Sequence, residues 1–315
     1  MAHSQLGFAD VQAAARRIAP HVHRTPVVTC STLDRELGAQ VFFKCENLQK
    51  VGAFKARGAT NAVLGLSTEA AARGVVAHSS GNHAQALAYA AAIRGIPCTV
   101  VMPEGASPVK LEAVRGYGAE IVSCPRAERD AACARLMRER GLTLVHPFED
   151  PAVIAGQGTA ALELLEEVPD LDLVLAPIGG GGLLSGTTLA VEGLRPGTPV
   201  WGAEPEAADD ARRSLELGVR QPGVTDPQTA ADGLLTGIGA RPFAILQARR
   251  TRVVTVGEQE ILTAARFLLQ RVKLVVEPSG ATVLAALRRE ATAVAGKRIG
   301  AILSGGNTDF RWLGS

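Results

Sequence analysis

"GVVAHSSGNHAQALAYAAAIRGIPCTVVMP", residues 74–103, contains a short β-branched run, a long helical stretch closing on Gly95, and a second apolar run. Strands of five or six apolar residues separated by helices of ten or more imply a βαβ unit with a parallel sheet buried on both faces. The pattern continues outward. "SPVKLEAVRGYG" (107–118) opens on a serine cap and stops on glycines, and "AEIVSCP" (119–125) is the next strand. "RAERDAACARLMRERG" (126–141) and "LTLVHP" (142–147) repeat the pair. A second series starts at "DLDLVLAPI" (170–178). It runs through helix 183–194, strand 199–204, strand 252–257, helix 259–272, a helix near 280–290 and strand 298–306. Residues 205–250 are the least regular. The expected fold is α/β, with two open twisted parallel-sheet lobes and a ligand at the carboxyl ends of the strands near the cleft.

Bulk properties narrow the function. With 315 residues, 47% hydrophobic and 20% charged, the chain is globular and long enough for two lobes. Net charge is +2 and basic residues form no block interleaved with aromatics, so no nucleic-acid partner is expected. No apolar run reaches about 18 residues, so no membrane partner is expected either. The five cysteines show neither CxxC nor zinc spacing, which suits a reduced, cytoplasmic protein.

Glycine-bearing turns carry the chemistry. "PIGGGGLLSG" (177–186) places Gly179, Gly180, Gly181 and Gly182 between a strand and a helix. Backbone N–H groups can converge there on a phosphate or carboxylate, aided by the helix N-terminus. A Walker A loop is excluded because no GK[ST] follows. A nicotinamide dinucleotide fold remains open, since Glu204 ends the next strand about 20 residues on, where a ribose-binding acid would stand. The other reading pairs the cradle with Lys55 in "VGAFKARGAT" (51–60), as pyridoxal phosphate held by a Schiff base. That chemistry needs a lysine kept neutral by burial.

"FFKCENLQKVGAFKARGATNA", "SSGNHAQALAYAA", "HPFEDPAVIAGQGT", "PIGGGGLLSG", "EPSGA" and "LSGGNTD" together resemble the fold type II pyridoxal-phosphate enzymes, whose architecture is that of the tryptophan synthase β-subunit. Within them the chain is similar to the serine/threonine dehydratase and serine racemase branch, over about residues 20–310 and in the same order. The resemblance implies a large cofactor-binding domain of residues 1–64 and 150–315, and a small domain of residues 65–149. It implies that Lys55 forms the Schiff base and removes the substrate Cα proton, that Phe54 packs on the cofactor ring, and that Asn82 meets the ring hydroxyl. Gly179 to Gly182 would hold the phosphate, Ser304 would face the ring nitrogen, and Glu277 would approach the cofactor. Ser79, Ser80, Gly81, Asn82 and His83 would grip the substrate carboxylate. Ser80 would supply a second base on the opposite face, as inversion at Cα requires. Phe148 instead looks like the dehydratase "HPF" pattern.

"AEPEAADDARRS" (203–214) resembles a divalent-cation site with Glu204, the Ala208 carbonyl and Asp210 as ligands, a donor set suited to Mg²⁺ or Ca²⁺. The implied activity is an ammonia-lyase that converts L-threonine or L-serine to a 2-oxo acid and ammonia. Serine or aspartate racemisation and 3-hydroxyaspartate dehydration stand as alternatives. A homodimer is the expected assembly. No regulatory domain is expected after "LSGGNTDFRWLGS" (303–315), and hence no isoleucine feedback.

Overall fold

The computed structural model describes residues 6–79, 81–105 and 108–314. Among the described residues, ten strands form two sheets. The strands are β1 (Val27–Val28), β2 (Gln40–Cys45), β3 (Val75–His78), β4 (Cys98–Pro103), β5 (Glu120–Cys124), β6 (Thr143–Leu144), β7 (Leu173–Pro177), β8 (Val200–Pro205), β9 (Arg252–Val256) and β10 (Arg298–Leu303). The six-stranded sheet runs β1-β2-β10-β7-β8-β9, and the four-stranded sheet runs β5-β4-β3-β6. Strands of the first come from residues 27–45 and 173–303, and those of the second from residues 75–144.

The βαβ reading holds for every pairing except one. β1 lies antiparallel to β2, in a register that sets Val27 against Lys44. That edge was not legible because β1 is two residues long and shows no alternation. The strand expected at 142–147 is likewise reduced to Thr143–Leu144. The expected helix 259–272 is α-helical from Glu258 to Phe267, then widens into a π-turn at Leu268–Val272 that ends on Lys273 at φ +66°. The irregular middle section contains two short helices, Asp210–Leu217 and Ala240–Ala248.

β7 and most of β10 are apolar and buried, as parallel strands covered on both faces must be. Each fully buried Val or Leu side chain there contributes about 1.5–3 kcal/mol. Three helices pack almost backbone to backbone behind the large sheet. They are Lys55–Leu64, Pro151–Glu167 and Gly182–Leu194. A methyl group on Gly156 would lie 2.6 Å from the Gly58 Cα, and one on Gly158 would lie 2.6 Å from the Gly186 carbonyl oxygen. Glycine is the residue that permits this approach. The carboxyl ends of β2, β10 and β7 therefore open into segments held tightly from behind.

A buried charge network fixes the lysine helix in that stack. Arg57 is fully buried; its Nε and Nη2 donate to Glu46 at 2.7 and 2.8 Å. Nη1 and Nη2 donate to Glu163 at 2.7 and 2.8 Å. Glu163 also pairs with buried Lys44 at 2.7 Å, and Lys44 Nζ donates to the Thr25 carbonyl. The Thr25 hydroxyl closes the ring by donating to Glu46 at 2.6 Å. Two cations and two anions thus balance where an unpaired charge would be costly.

Candidate active site

Lys55 is the first residue of its helix, directly after Phe54. The turn that delivers it is fastened to the end of β10. Ala53 bridges to Gly305, and the Phe54 N–H donates to the Ser304 carbonyl at 3.0 Å. Lys55 Nζ donates to the Pro147 carbonyl at 2.9 Å and lies 5.0 Å from the Phe54 ring centroid. It has no carboxylate partner among the described residues. Lys55 is half-buried, and desolvation by the apolar surround, unopposed, brings its pKa down to about 8.

The residue after Pro147 builds the opposite wall. A methyl on Gly180 would overlap the Phe148 ring, and one on Gly182 would lie 3.0 Å from Phe148 Cα. Gly181 has φ +87°, and the Gly239 N–H donates to the Gly180 carbonyl at 3.2 Å. Glu149 extends the clamp by accepting from the first N–H groups of helix Ala240–Ala248, those of Ala240 and Arg241. Segment 146–149 thus touches the lysine and the glycine turn in consecutive residues. From sequence alone, Phe148 bears only on specificity, through the "HPF" pattern. Its contact with the glycines leaves no local pattern to detect.

The third wall is the start of helix Asn82–Arg94, at the carboxyl end of β3. Asn82 Nδ2 donates to Glu277 Oε1 and Oε2 at 3.0 and 3.3 Å. Glu277, at 4% exposure, also anchors to β10 through its N–H on the Gly305 carbonyl. The Ser79 hydroxyl accepts from the Gly81 N–H at 3.2 Å, which turns the chain into the helix. Ser80, the expected second-face base, lies outside the described residues. His83 is buried and donates from Nε2 to the Val145 carbonyl at 2.8 Å, leaving Nδ1 buried without a hydrogen-bond partner among the described residues. Burial first, then the nearby Lys55 charge, depress its pKa to about 3, so the ring stays neutral.

Phe54, Lys55, Asn82, Glu277 and Ser304 are therefore joined through β10 and Gly305, and Gly179–Gly182 are joined to Lys55 through Pro147 and Phe148. This surround fits pyridoxal phosphate. It offers a desolvated amine, a glycine cradle that a Cβ would fill, a helix N-terminus, and the buried hydroxyl residue Ser304. Asn307 was not singled out from sequence, although it stands inside "LSGGNTD". Its side chain donates to both Asn82 and the Val51 carbonyl.

The expected cation site lies at the end of β8. Glu204 is 1% exposed, and its oxygens accept from the Ala211 and Arg212 N–H groups at 2.9 and 3.0 Å. Desolvation raises its pKa to about 8, with Asp210 and Asp209 adding to the effect. Asp210 Oδ2 accepts from the Ile238 N–H at 2.8 Å, and Ala208 is buried between the two acids in sequence. Among the described residues no three His, Cys, Asp or Glu side chains cluster to hold a metal. Glu204 faces its own chain, unlike an acid that presents itself to a ribose.

Comparison with known proteins agrees with this geometry. The family described as "Pyridoxal-phosphate dependent enzyme" matches residues 18–305. The beta-hydroxyaspartate dehydratase of Paracoccus denitrificans (strain Pd 1222) is 48% identical over 96% of each chain. The crystal structure of serine racemase from Dictyostelium discoideum superposes with TM-score 0.93 at 45% identity, covering 98% of this chain and all of that one. The crystal structure of a T.th. threonine deaminase gives TM-score 0.92 at 48% identity, over 96% of this chain and 99% of that one. The nicotinamide alternative falls with these matches. This chain belongs to the pyridoxal-phosphate dependent enzymes of fold type II, in the group that contains serine racemases, hydroxyaspartate dehydratases and threonine deaminases.

Proposed function

We propose that this protein is an ammonia-lyase that removes water from a small β-hydroxy amino acid and yields a 2-oxo acid and ammonia. The observation that carries the reading is the desolvated Lys55 amine, held between the Asn82 helix start and the glycine turn. Sequence reading puts threonine and serine first. The resemblance to the Paracoccus dehydratase supports 3-hydroxyaspartate equally, and the resemblance to serine racemase supports inversion of serine as a second activity.

When bound, pyridoxal phosphate supplies an aldehyde for the amine and a conjugated ring that delocalises the electrons released at Cα. The N–H groups of Gly179–Gly182 would hold the phosphate, and the loop around Ser79, Ser80, Gly81, Asn82 and His83 would bind the substrate carboxylate. Lys55, neutral in a useful fraction near its lowered pKa, takes the proton from Cα. Ser304 would offer the ring nitrogen a neutral hydroxyl, which would favour loss of a β-hydroxyl over long storage of charge on the ring. Phe148 and Pro147 exclude water from the lysine side. Across the whole reaction, Cα–H and Cβ–OH leave as water, the released enamine tautomerises to an imine, and hydrolysis by one water exchanges its C=N for C=O and frees ammonia. Ser80 is proposed as the residue that returns a proton to the opposite face when inversion occurs.

Glu204, the Ala208 carbonyl and Asp210 are proposed to hold Mg²⁺ or Ca²⁺, on the strength of a hard-oxygen donor set. The protein is further proposed to be a cytoplasmic homodimer.

The test separates substrates. L-serine, L-threonine, D-serine and both 3-hydroxyaspartate diastereomers are incubated singly with the holoenzyme, and 2-oxo acid, ammonia and amino-acid chirality are measured. Oxo-acid release from threonine, serine or a hydroxyaspartate is expected, and absence of oxo acid from all of them overturns the lyase reading. A D-isomer that disappears in Ser80→Ala while elimination continues would assign Ser80 to the second face.

A further inference from the structure

The turn before Lys55 has an unusual backbone. Val51 adopts φ +56° and Gly52 φ +68°. A β-branched residue in the left-handed region is an outlier, and such strain persists only where the surroundings enforce it. Backbone bonds of Gly52 to Gln49 and Gly306 hold the turn, and Asn307 is the side chain that fastens it. Its Nδ2 donates to the Val51 carbonyl at 2.7 Å and to Asn82 Oδ1 at 2.9 Å. Both of its side-chain N–H donors are thereby used. Gly52 makes the approach possible, since a methyl there would lie 2.5 Å from Asn307 Oδ1.

These contacts decide which way the Asn82 amide faces. Its oxygen is taken by Asn307, and its nitrogen is drawn to Glu277 at 3.0 and 3.3 Å. A flipped amide would set oxygen against the Glu277 carboxylate and N–H against the Asn307 N–H. The orientation present turns the Asn82 oxygen away, and with one N–H shared between the two Glu277 oxygens, the second N–H is what Asn82 has to offer the site.

We propose that Asn307 is a positioning residue for the cofactor ring, locking Asn82 as a hydrogen-bond donor and tying that orientation to the strained Val51 turn that delivers Lys55. The inference rests on the pyridoxal-phosphate reading of the site. A donor facing the ring hydroxyl stabilises its ionised form, and an acceptor would stabilise the neutral form. The bound cofactor reports the difference as its ratio of visible to near-ultraviolet absorbance.

The experiment titrates purified protein with pyridoxal phosphate and records that ratio for the unaltered chain, Asn307→Ala and the isosteric Asn307→Asp. Each is also examined in an Asn82→Ala background. One neutral hydrogen bond is worth roughly 0.5–1.5 kcal/mol, so the ratio should fall about 2- to 10-fold in both variants with cofactor still bound. With Asn82 removed, the Asn307 substitutions should change the ratio no further. Asn307→Asp keeps the shape, so it decides the matter if Asn307→Ala fails to fold. An unchanged ratio in a variant that binds cofactor overturns the proposal, as does an equal fall in both backgrounds, which would assign Asn307 to backbone support alone. If the unaltered chain acquires no visible band, the pyridoxal-phosphate reading itself fails, and the inference with it.

Discussion

The chemistry proposed for Lys55 rests on the lack of a carboxylate beside it among the described residues. A surface lysine keeps its proton until about pH 10.4, whereas burial without a carboxylate partner brings this one to about 8. Because the folded pKa is depressed, the neutral amine prevails above about pH 8 and is lost as pH falls through that value. Imine formation between the cofactor-free protein and pyridoxal phosphate should therefore accelerate with pH around a midpoint near 8. Stopped-flow absorbance checks this, and a midpoint near that of free lysine would contradict it. Lys55→Ala should abolish the visible band. At this scale the sequence was informative, since Lys55, Asn82 and the four glycines stand in contiguous motifs. His83 was legible as a loop member, but the neutral state of its ring depends on Val145 and Lys55, far apart in the chain.

The lysine helix, not the lysine alone, is the unit that is positioned. Arg57 lies two residues beyond Lys55 and is clamped by Glu46 and Glu163 from two other segments. Glu163→Gln keeps the side-chain shape but leaves Lys44 and Arg57 with one anion between them. Breaking such a buried set by removing one partner costs about 3–5 kcal/mol, to be read as a lower urea midpoint. The loss should be largely independent of salt, because the network is shielded from solvent. Nothing in the sequence pointed to this ring, because Glu163 stands 106 positions from Arg57 and reads as an ordinary helix acid. The π-turn at Leu268–Val272 escaped detection for a related reason. Periodicity shows that a helix continues and is silent on where its hydrogen bonds widen.

For the whole molecule, the alternation of strands and helices announced the architecture, while the order of strands in each sheet did not follow from it. β2 and β7 flank β10, so neighbours in space are distant in sequence. The proposed cation site is also a property of the whole fold, since it holds the end of β8, helix Asp210–Leu217 and the Ile238 segment together. EDTA should lower the melting temperature by a few degrees, and Mg²⁺ or Ca²⁺ should restore it, as expected for a ligand at about 100 times its Kd. Glu204→Gln should melt at the same temperature with and without EDTA. An EDTA response that persists in Glu204→Gln would place the cation elsewhere.

The central place of β10 has a consequence for synthesis. During translation β2 and β7 are complete long before residue 298 leaves the ribosome, yet the strand that joins them pairs Ile299 with both Val41 and Leu173. Until then each presents an unpaired edge flanked by apolar side chains, the arrangement most prone to pairing with another chain. The nascent protein carries an open slot through most of its elongation, and the segment that fills it also brings Ser304 and Asn307. Closing the sheet and completing the site are one late event.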